Sequence, residues 1–155
     1  MRRLVLLRHA KSEWPEGIAD RDRPLAARGR REAPLAGKWL HEHLGSVDLV
    51  VCSPARRARE TCAAVNEQLG AEVRVDGRLY PGFPDDLVAV ARELPDAART
   101  VLFIAHNPGL EELVGELAGA VCVLKTSSIA VLSGDGGWPD VGPGWATLDA
   151  ATPRA

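Results

Sequence analysis

Short, unbroken apolar runs alternate along this chain with longer stretches in which apolar residues return every three or four positions. Leu4–Leu7, Leu49–Cys52 and Val101–Ala105 are runs of the first kind. Apolar runs of this length, bounded by polar residues, read as strands buried on both faces. The first strand is expected over Arg3–Leu7, and Glu72–Val75 reads as a third strand after Leu49–Cys52. Val121–Leu124, Ser128–Leu132 and Ala146–Leu148 are expected as late strands. Between them lie helical patterns at Arg30–Leu44, Ala55–Leu69, Asp85–Leu94 and Pro108–Ala118.

Local signals agree with these elements. Leu35, Trp39, Leu40 and Leu44 recur at helical spacing, and Pro34 is expected in the first turn of that helix, where its missing N–H costs little. Gly70 stands where a helix ends in a left-handed cap. Pro95 stops the third helix, and Pro108 takes the favoured opening position of the fourth. Gly134–Gly144 is a turn-rich loop, and the C-terminal tail is expected to fray. Strands alternating with helices predict an α/β fold, a three-layer αβα sandwich around a mostly parallel sheet.

Composition narrows the class further. The 155 residues suit one domain over 1–155, large enough to bury a core without disulfides or a structural metal. The formal net charge of -2 gives no bulk attraction to nucleic acid or a membrane surface, so neither is expected as a partner. Three cysteines without paired Cys/His spacing argue against a disulfide framework or a zinc site, and Cys52 reads as a small buried thiol. The N-terminal apolar stretch is too short for a signal segment, and no stretch reaches a membrane span, so a cytoplasmic protein is expected.

The candidate chemistry sits where strands end. In open α/β sheets, ligands bind outside the carboxyl ends of the strands. The first run ends in Arg8-His9-Ala10-Lys11-Ser12, an imidazole between two cations. That setting suits an anion, and a phosphoryl group in particular. The second strand leads into Ser53-Pro54-Ala55-Arg56-Arg57-Ala58-Arg59-Glu60-Thr61. Arginines in a first helical turn oppose the helix dipole, a conflict that marks function. Arg57, one turn past Ser53, is expected to point inward with a planar fork suited to phosphate oxygens. The strand at Val101–Ala105 ends in His106-Asn107-Pro108-Gly109. A charged loop, Asp20-Arg21-Asp22-Arg23-Pro24-Leu25, precedes the first helix.

In this order the stretches resemble the histidine phosphatase, or phosphoglycerate-mutase-like, superfamily. The resemblance covers Leu4 to about Leu148. Its marks are Arg8-His9 after the first strand, Ser53 with Arg57-Ala58 and Thr61 after the second, and His106 closing a later one. The small size, the Leu-Arg-His-Ala-Lys-Ser opening, the Asp22-Arg23-Pro24-Leu25 loop and His106-Asn107-Pro-Gly are similar to SixA-type phosphohistidine phosphatases. The resemblance implies that His9 is the nucleophile and that Arg8, Arg57 and His106 form the phosphate pocket. Lys11, Ser12, Arg23 and Asn107 are expected to bind substrate. No metal and no cofactor is implied, because the cations are side chains.

In one respect the chain departs from that pattern. Many superfamily members carry a Glu after the third strand that protonates the leaving oxygen. The matching stretch here, Gly77-Arg78-Leu79-Tyr80-Pro81-Gly82, has no carboxylate, and Asp85 and Asp86 read as acids of a helix N-terminus. Without an acid, alkoxides leave badly and imidazole leaves well. The expected substrate is therefore a phosphorylated protein of the histidine-phosphotransfer type. A small phosphorylated substrate is the alternative, as for a phosphomonoesterase, and a non-catalytic phosphoprotein-binding module is a weaker one. Mutase chemistry is disfavoured, because the chain is short and lacks long insertions.

Overall fold

The structure is a computed structural model that describes residues 1–152; the expected fraying of the tail falls largely on 153–155, outside the described residues. The elements run β1 (Arg2–Arg8), α1 (Ala27–Leu44), β2 (Leu49–Cys52), α2 (Arg56–Leu69), β3 (Glu72–Val75), α3 (Pro84–Arg92), β4 (Thr100–Ala105), α4 (Gly109–Ala118), β5 (Ile129–Gly134) and β6 (Thr147–Ala151). Among the described residues, six strands form one sheet in the order β3-β2-β4-β1-β5-β6. β1, β2, β3 and β4 run parallel, and β5 and β6 form an antiparallel extension.

The alternation of side chains along each strand builds two cores. Leu4, Leu6, Val101, Phe103, Leu49 and Val51 pack on one face with α3 and α4. Val5, Leu7, Leu102, Ile104, Val50 and Cys52 pack on the other with α1 and α2. Both faces of β1, β2 and β4 are thus covered, which is why these strands read as continuous apolar runs. The result is the expected αβα sandwich. No helix among the described residues is long and apolar enough to cross a membrane.

Three expectations change. Val121–Leu124 alternates buried and exposed but is not a strand. Side chains take the place of a neighbouring strand: Glu111 accepts from Leu124 N, and Arg8 and Asn107 both donate to Leu124 O. Pro34 lies inside α1 rather than in its first turn, since the helix begins at Ala27. The core face of α1 is made of Gly29, Ala33, Ala36, Gly37 and Leu40, while Leu35 is exposed. Small residues are needed there, because a Cβ on Gly37 would meet the Val65 backbone at 3.0 Å. Smaller shifts place the β6 strand at Thr147–Ala151 and end α3 at Arg92, while Ala55 and Pro108 cap their helices from outside.

The turn-rich loop after β5 carries part of the core. Trp138 is fully buried, and its Nε1–H donates to Ala98 O at 2.8 Å. We expect Trp138→Ala to lower stability by about 3–5 kcal/mol, the range for removing a buried large aromatic. Urea unfolding followed by circular dichroism measures it; a loss within about 0.5 kcal/mol, as for a surface position, contradicts this packing.

Candidate active site

Strand register puts the candidate residues on one level. Arg8 pairs with Ala105 and Cys52 with Ile104, so His9, Ser53 and His106 each follow neighbouring strand ends. His9 N donates to Ala105 O at 3.2 Å and Ser53 N to Ile104 O at 3.0 Å, extending the ladder one step past the strands. The rings of His9 and His106 lie 5.1 Å apart.

Each imidazole is oriented by its outer nitrogen. His9 Nδ1 lies 2.8 Å from Ala10 O, and a carbonyl can only accept, so Nδ1 carries the proton. Nε2 then bears the lone pair, and Arg57 Nε donates to it at 3.3 Å. His106 Nε2 lies 2.7 Å from Ser53 Oγ, which also accepts from Ala55 N at 3.1 Å. Arg57 Nη2 approaches His106 Nδ1 at 3.5 Å, so that nitrogen is also an acceptor and Nε2 holds the proton. Thr61 ties two of these segments together: Oγ1 donates to Arg57 O at 2.7 Å and accepts from Ala10 N at 3.0 Å.

These contacts surround a cavity of about 320 Å³ lined by Arg8, His9, Lys11, Ser12, Trp14, Asp20, Arg23, Arg57, His106, Asn107 and Thr126. All eight residues expected from the sequence therefore meet in one place. Their commitments differ. Arg57 is buried and points inward, whereas Arg56 is exposed. Arg8 Nη1 donates to Leu124 O at 3.0 Å, while its buried Nε has no partner among the described residues. Arg23 donates to Ser12 Oγ, and its guanidinium lies 3.3 Å from the Trp14 ring centroid. Asn107 is occupied with the fold, donating to Glu111 and to Leu124 O. A larger, mostly apolar cavity of about 470 Å³ lies between α2 and β3, lined by Cys52, Cys62, Val73 and Val75. It contains neither histidine of the pair.

Trp14, Asp20 and Thr126 were not singled out from the sequence. Asp20 bridges the site: it accepts from Arg23 Nη1 at 2.9 Å, Arg57 Nη2 at 3.1 Å and the Tyr80 hydroxyl at 2.7 Å. A carboxylate therefore reaches the cavity from the loop before α1, not from the stretch after β3. Its spacing of three from Arg23 was the available signal. Asp85 and Asp86 lie in the first turn of α3 and do not line the cavity. Among the described residues, no group of three or more His, Cys, Asp or Glu is arranged to hold a metal ion.

The electrostatics follow from burial among cations. Desolvation pushes His9 down to about 3; the Ala10 hydrogen bond opposes this, while His106, Arg57 and Arg8 add to it. Desolvation and Arg57 push His106 down to about 4, with Asp20 opposing. Both imidazoles are neutral at neutral pH. Their folded values lie below the unfolded value of about 6.5, so their protonation favours the unfolded chain. The stability tied to them is complete above that value and falls away as pH drops towards the folded values. We expect imidazole resonances of His9 and His106 in the free protein to remain those of the neutral form down to about pH 5.5. Heteronuclear NMR checks this, and a midpoint near 6.5 for either residue contradicts the geometry.

Comparison with known proteins gives the same picture. Residues 4–80 match the histidine phosphatase superfamily (branch 1). An uncharacterized protein of Mycobacterium tuberculosis is 42% identical over 153 residues, covering 92% of this chain and 96% of that protein. The structure of a candidate phosphohistidine phosphatase SixA from Nakamurella multipartitia superposes with a TM-score of 0.88 at 36% identity, covering 97% of this chain and 95% of that one. A protein histidine phosphatase SixA complexed with tungstate superposes with a TM-score of 0.76 at 27% identity, covering 97% and 96%. The chain belongs to the histidine phosphatase superfamily, among its SixA-type members, and is an enzyme that hydrolyses phosphate from its substrate.

Proposed function

We propose that this phosphatase acts on protein phosphohistidine through a covalent phosphohistidine formed at His9. The observation that carries the reading is the hydrogen bond from His9 Nδ1 to Ala10 O, which leaves the Nε2 lone pair facing the cavity beside Arg57. A neutral, oriented imidazole is ready to attack phosphorus without first losing a proton. A module that only binds phosphate has no use for such a group.

In the first step a bond forms between His9 Nε2 and phosphorus, and the bond from phosphorus to the leaving atom breaks, its electron pair going to that atom. Water then attacks phosphorus and His9 departs, so that one difficult hydrolysis is divided into two easier displacements. Arg8 and Arg57 hold the equatorial oxygens, where transition-state charge gathers. A phosphoryl dianion opposes the burial and the Arg57 charge that keep His106 neutral. His106 then takes a proton from solvent at Nδ1 and becomes a further donor, while Ser53 keeps the ring in place. Lys11 attracts the anion at the rim, and Arg23 acts with Ser12 as a bonded pair. Asn107 serves the site by fastening the loop at Leu124.

Substrate class follows from the leaving group. Tyr80 stands in the stretch where a proton-donating carboxylate would serve ester hydrolysis. Asp20, the carboxylate that does line the cavity, is held ionised by Tyr80, Arg23 and Arg57 and carries no proton to give. Imidazole, a weak base, needs least help to leave. The names of the SixA relatives support this substrate.

The test is a panel of substrates: a phosphohistidine-bearing phosphotransfer protein, a phosphoserine peptide and a sugar phosphate. General acid help is worth about 10²–10⁴-fold, so we expect phosphohistidine to be favoured over either ester by at least about 10²-fold in kcat/KM. Equal or better turnover of the esters contradicts the reading and supports a small-molecule phosphomonoesterase.

A further inference from the structure

Anion binding does not explain Asp20. A carboxylate beside a phosphoryl site repels the dianion, yet Asp20 lines the same cavity as Arg8, His9, Arg57 and His106. Its side chain is 49% exposed, so it is open to what enters the cavity rather than sealed beneath it. Oδ1 accepts from Arg23 Nη1, and Oδ2 accepts from Arg57 Nη2 and the Tyr80 hydroxyl. A carboxylate has about four lone-pair sites, so a further acceptor site remains on Oδ1.

Arg57 relates this carboxylate to the nucleophile. Its Nε donates to His9 Nε2 at 3.3 Å, and its Nη2 donates to Asp20 Oδ2 at 3.1 Å. The guanidinium therefore reaches from the attacking nitrogen to the carboxylate. A phosphoryl group whose oxygens lie along this guanidinium lies beside both His9 and Asp20; with His9 attacking in line, Asp20 is assigned below to the leaving group.

We propose that Asp20 is a specificity-determining residue that accepts the distal N–H of a leaving imidazole, and thereby selects N-phosphoimidazoles over phosphate esters. The inference rests on the phosphohistidine reading and deepens it. A phosphorylated imidazole leaves well only when its other ring nitrogen is protonated. The His9–phosphorus bond then forms, the phosphorus–nitrogen bond breaks, and its electron pair neutralises the cationic ring. The proton stays on the distal nitrogen, and neutral imidazole departs. Without that proton the leaving group is imidazolate, a strong base. A fixed carboxylate facing the distal N–H keeps the proton on the ring to a higher pH than water does. An ester offers no N–H, and Asp20 only repels its dianion.

The groups facing Asp20 are consistent with a fixed anion. Arg23 comes from its own loop, Arg57 from α2, Tyr80 from the loop before α3 and His106 from the end of β4, with Lys11 lining the same cavity. The hydrogen bonds from Tyr80, Arg23 and Arg57 hold the Asp20 carboxyl far below the usual carboxylate range, against its partial burial. It therefore acts as an acceptor rather than as a proton donor.

The experiment compares Asp20→Asn with wild type on phosphoimidazole and 4-nitrophenyl phosphate, reading kcat/KM against pH. Asp20 also seats Arg57, so both substrates slow in the variant; the diagnostic quantity is their ratio. We expect the phosphoimidazole-to-aryl ratio to fall by at least about tenfold, and the alkaline limb of the phosphoimidazole profile to move down by about one unit. Tyr80→Phe keeps the carboxylate, and its ratio stays within about threefold of wild type, since a surface-accessible hydrogen bond is a modest contribution. Loss by one common factor for both substrates with the limb unmoved, or complete loss of both activities, makes Asp20 a positioning residue and overturns the proposal. A ratio that falls as far in Tyr80→Phe assigns the preference to the ring and also overturns it. A wild type that favours phosphoserine over phosphohistidine overturns the substrate reading and this inference with it. A wild type that favours phosphohistidine beside an unchanged Asp20→Asn ratio overturns the role of Asp20 alone.

Discussion

The hydrogen bond between His9 Nδ1 and the Ala10 carbonyl decides which imidazole nitrogen faces the cavity, and much of the surrounding structure holds that carbonyl in place. Ala10 N is tied to Thr61 of α2, whose hydroxyl is tied in turn to Arg57 O. The next residue, Lys11, receives Ala26 N on its carbonyl, and Gly29 of α1 packs so closely there that a Cβ would lie 2.1 Å from the same oxygen. Two helices thus clamp a three-residue turn after β1. The ring turn set by the Ala10 bond is what lets Arg57 reach Nε2 and lets the two histidine rings face one cavity.

Charge completes what geometry begins. Burial keeps both histidines neutral in the free protein, and the arginines that crowd the cavity add to it. In the proposed mechanism His9 attacks in that state, and His106 leaves it once the dianion arrives. Asp20 balances the cluster: it occupies the outer edge of Arg57 and holds Arg23 beside Ser12. One negative side chain among several cations therefore lowers the cost of assembling them and leaves a polar acceptor at the cavity wall.

The fold was legible because the parallel strands are covered on both faces, so β1, β2 and β4 show as apolar runs. The site was legible because strand ends in an α/β sheet converge, and His9, Ser53 and His106 each follow such a run. Tertiary demands hid the rest. Val121–Leu124 alternates like an edge strand, yet its backbone is satisfied by Glu111, Arg8 and Asn107 side chains that no local pattern reveals. The face of α1 is set by the close approach of α2, which selects small residues instead of the leucine stripe. Asp20 lies in a loop whose charges resemble any solvated surface; its spacing of three from Arg23 is a weak local signal, and its partners 37 and 60 residues away in Arg57 and Tyr80 are what set it apart.

The central claim is that His9 attacks through Nε2 because Ala10 holds the proton on Nδ1. Trapping the enzyme with a labelled phosphohistidine donor, quenching in alkali and digesting under the same conditions isolates the phosphorylated peptide. Phosphorus NMR or fragmentation mass spectrometry then identifies the residue and the nitrogen. The account predicts phosphate on His9 Nε2, and none in His9→Ala. Phosphate on Nδ1, on His106, or retained in His9→Ala would contradict it.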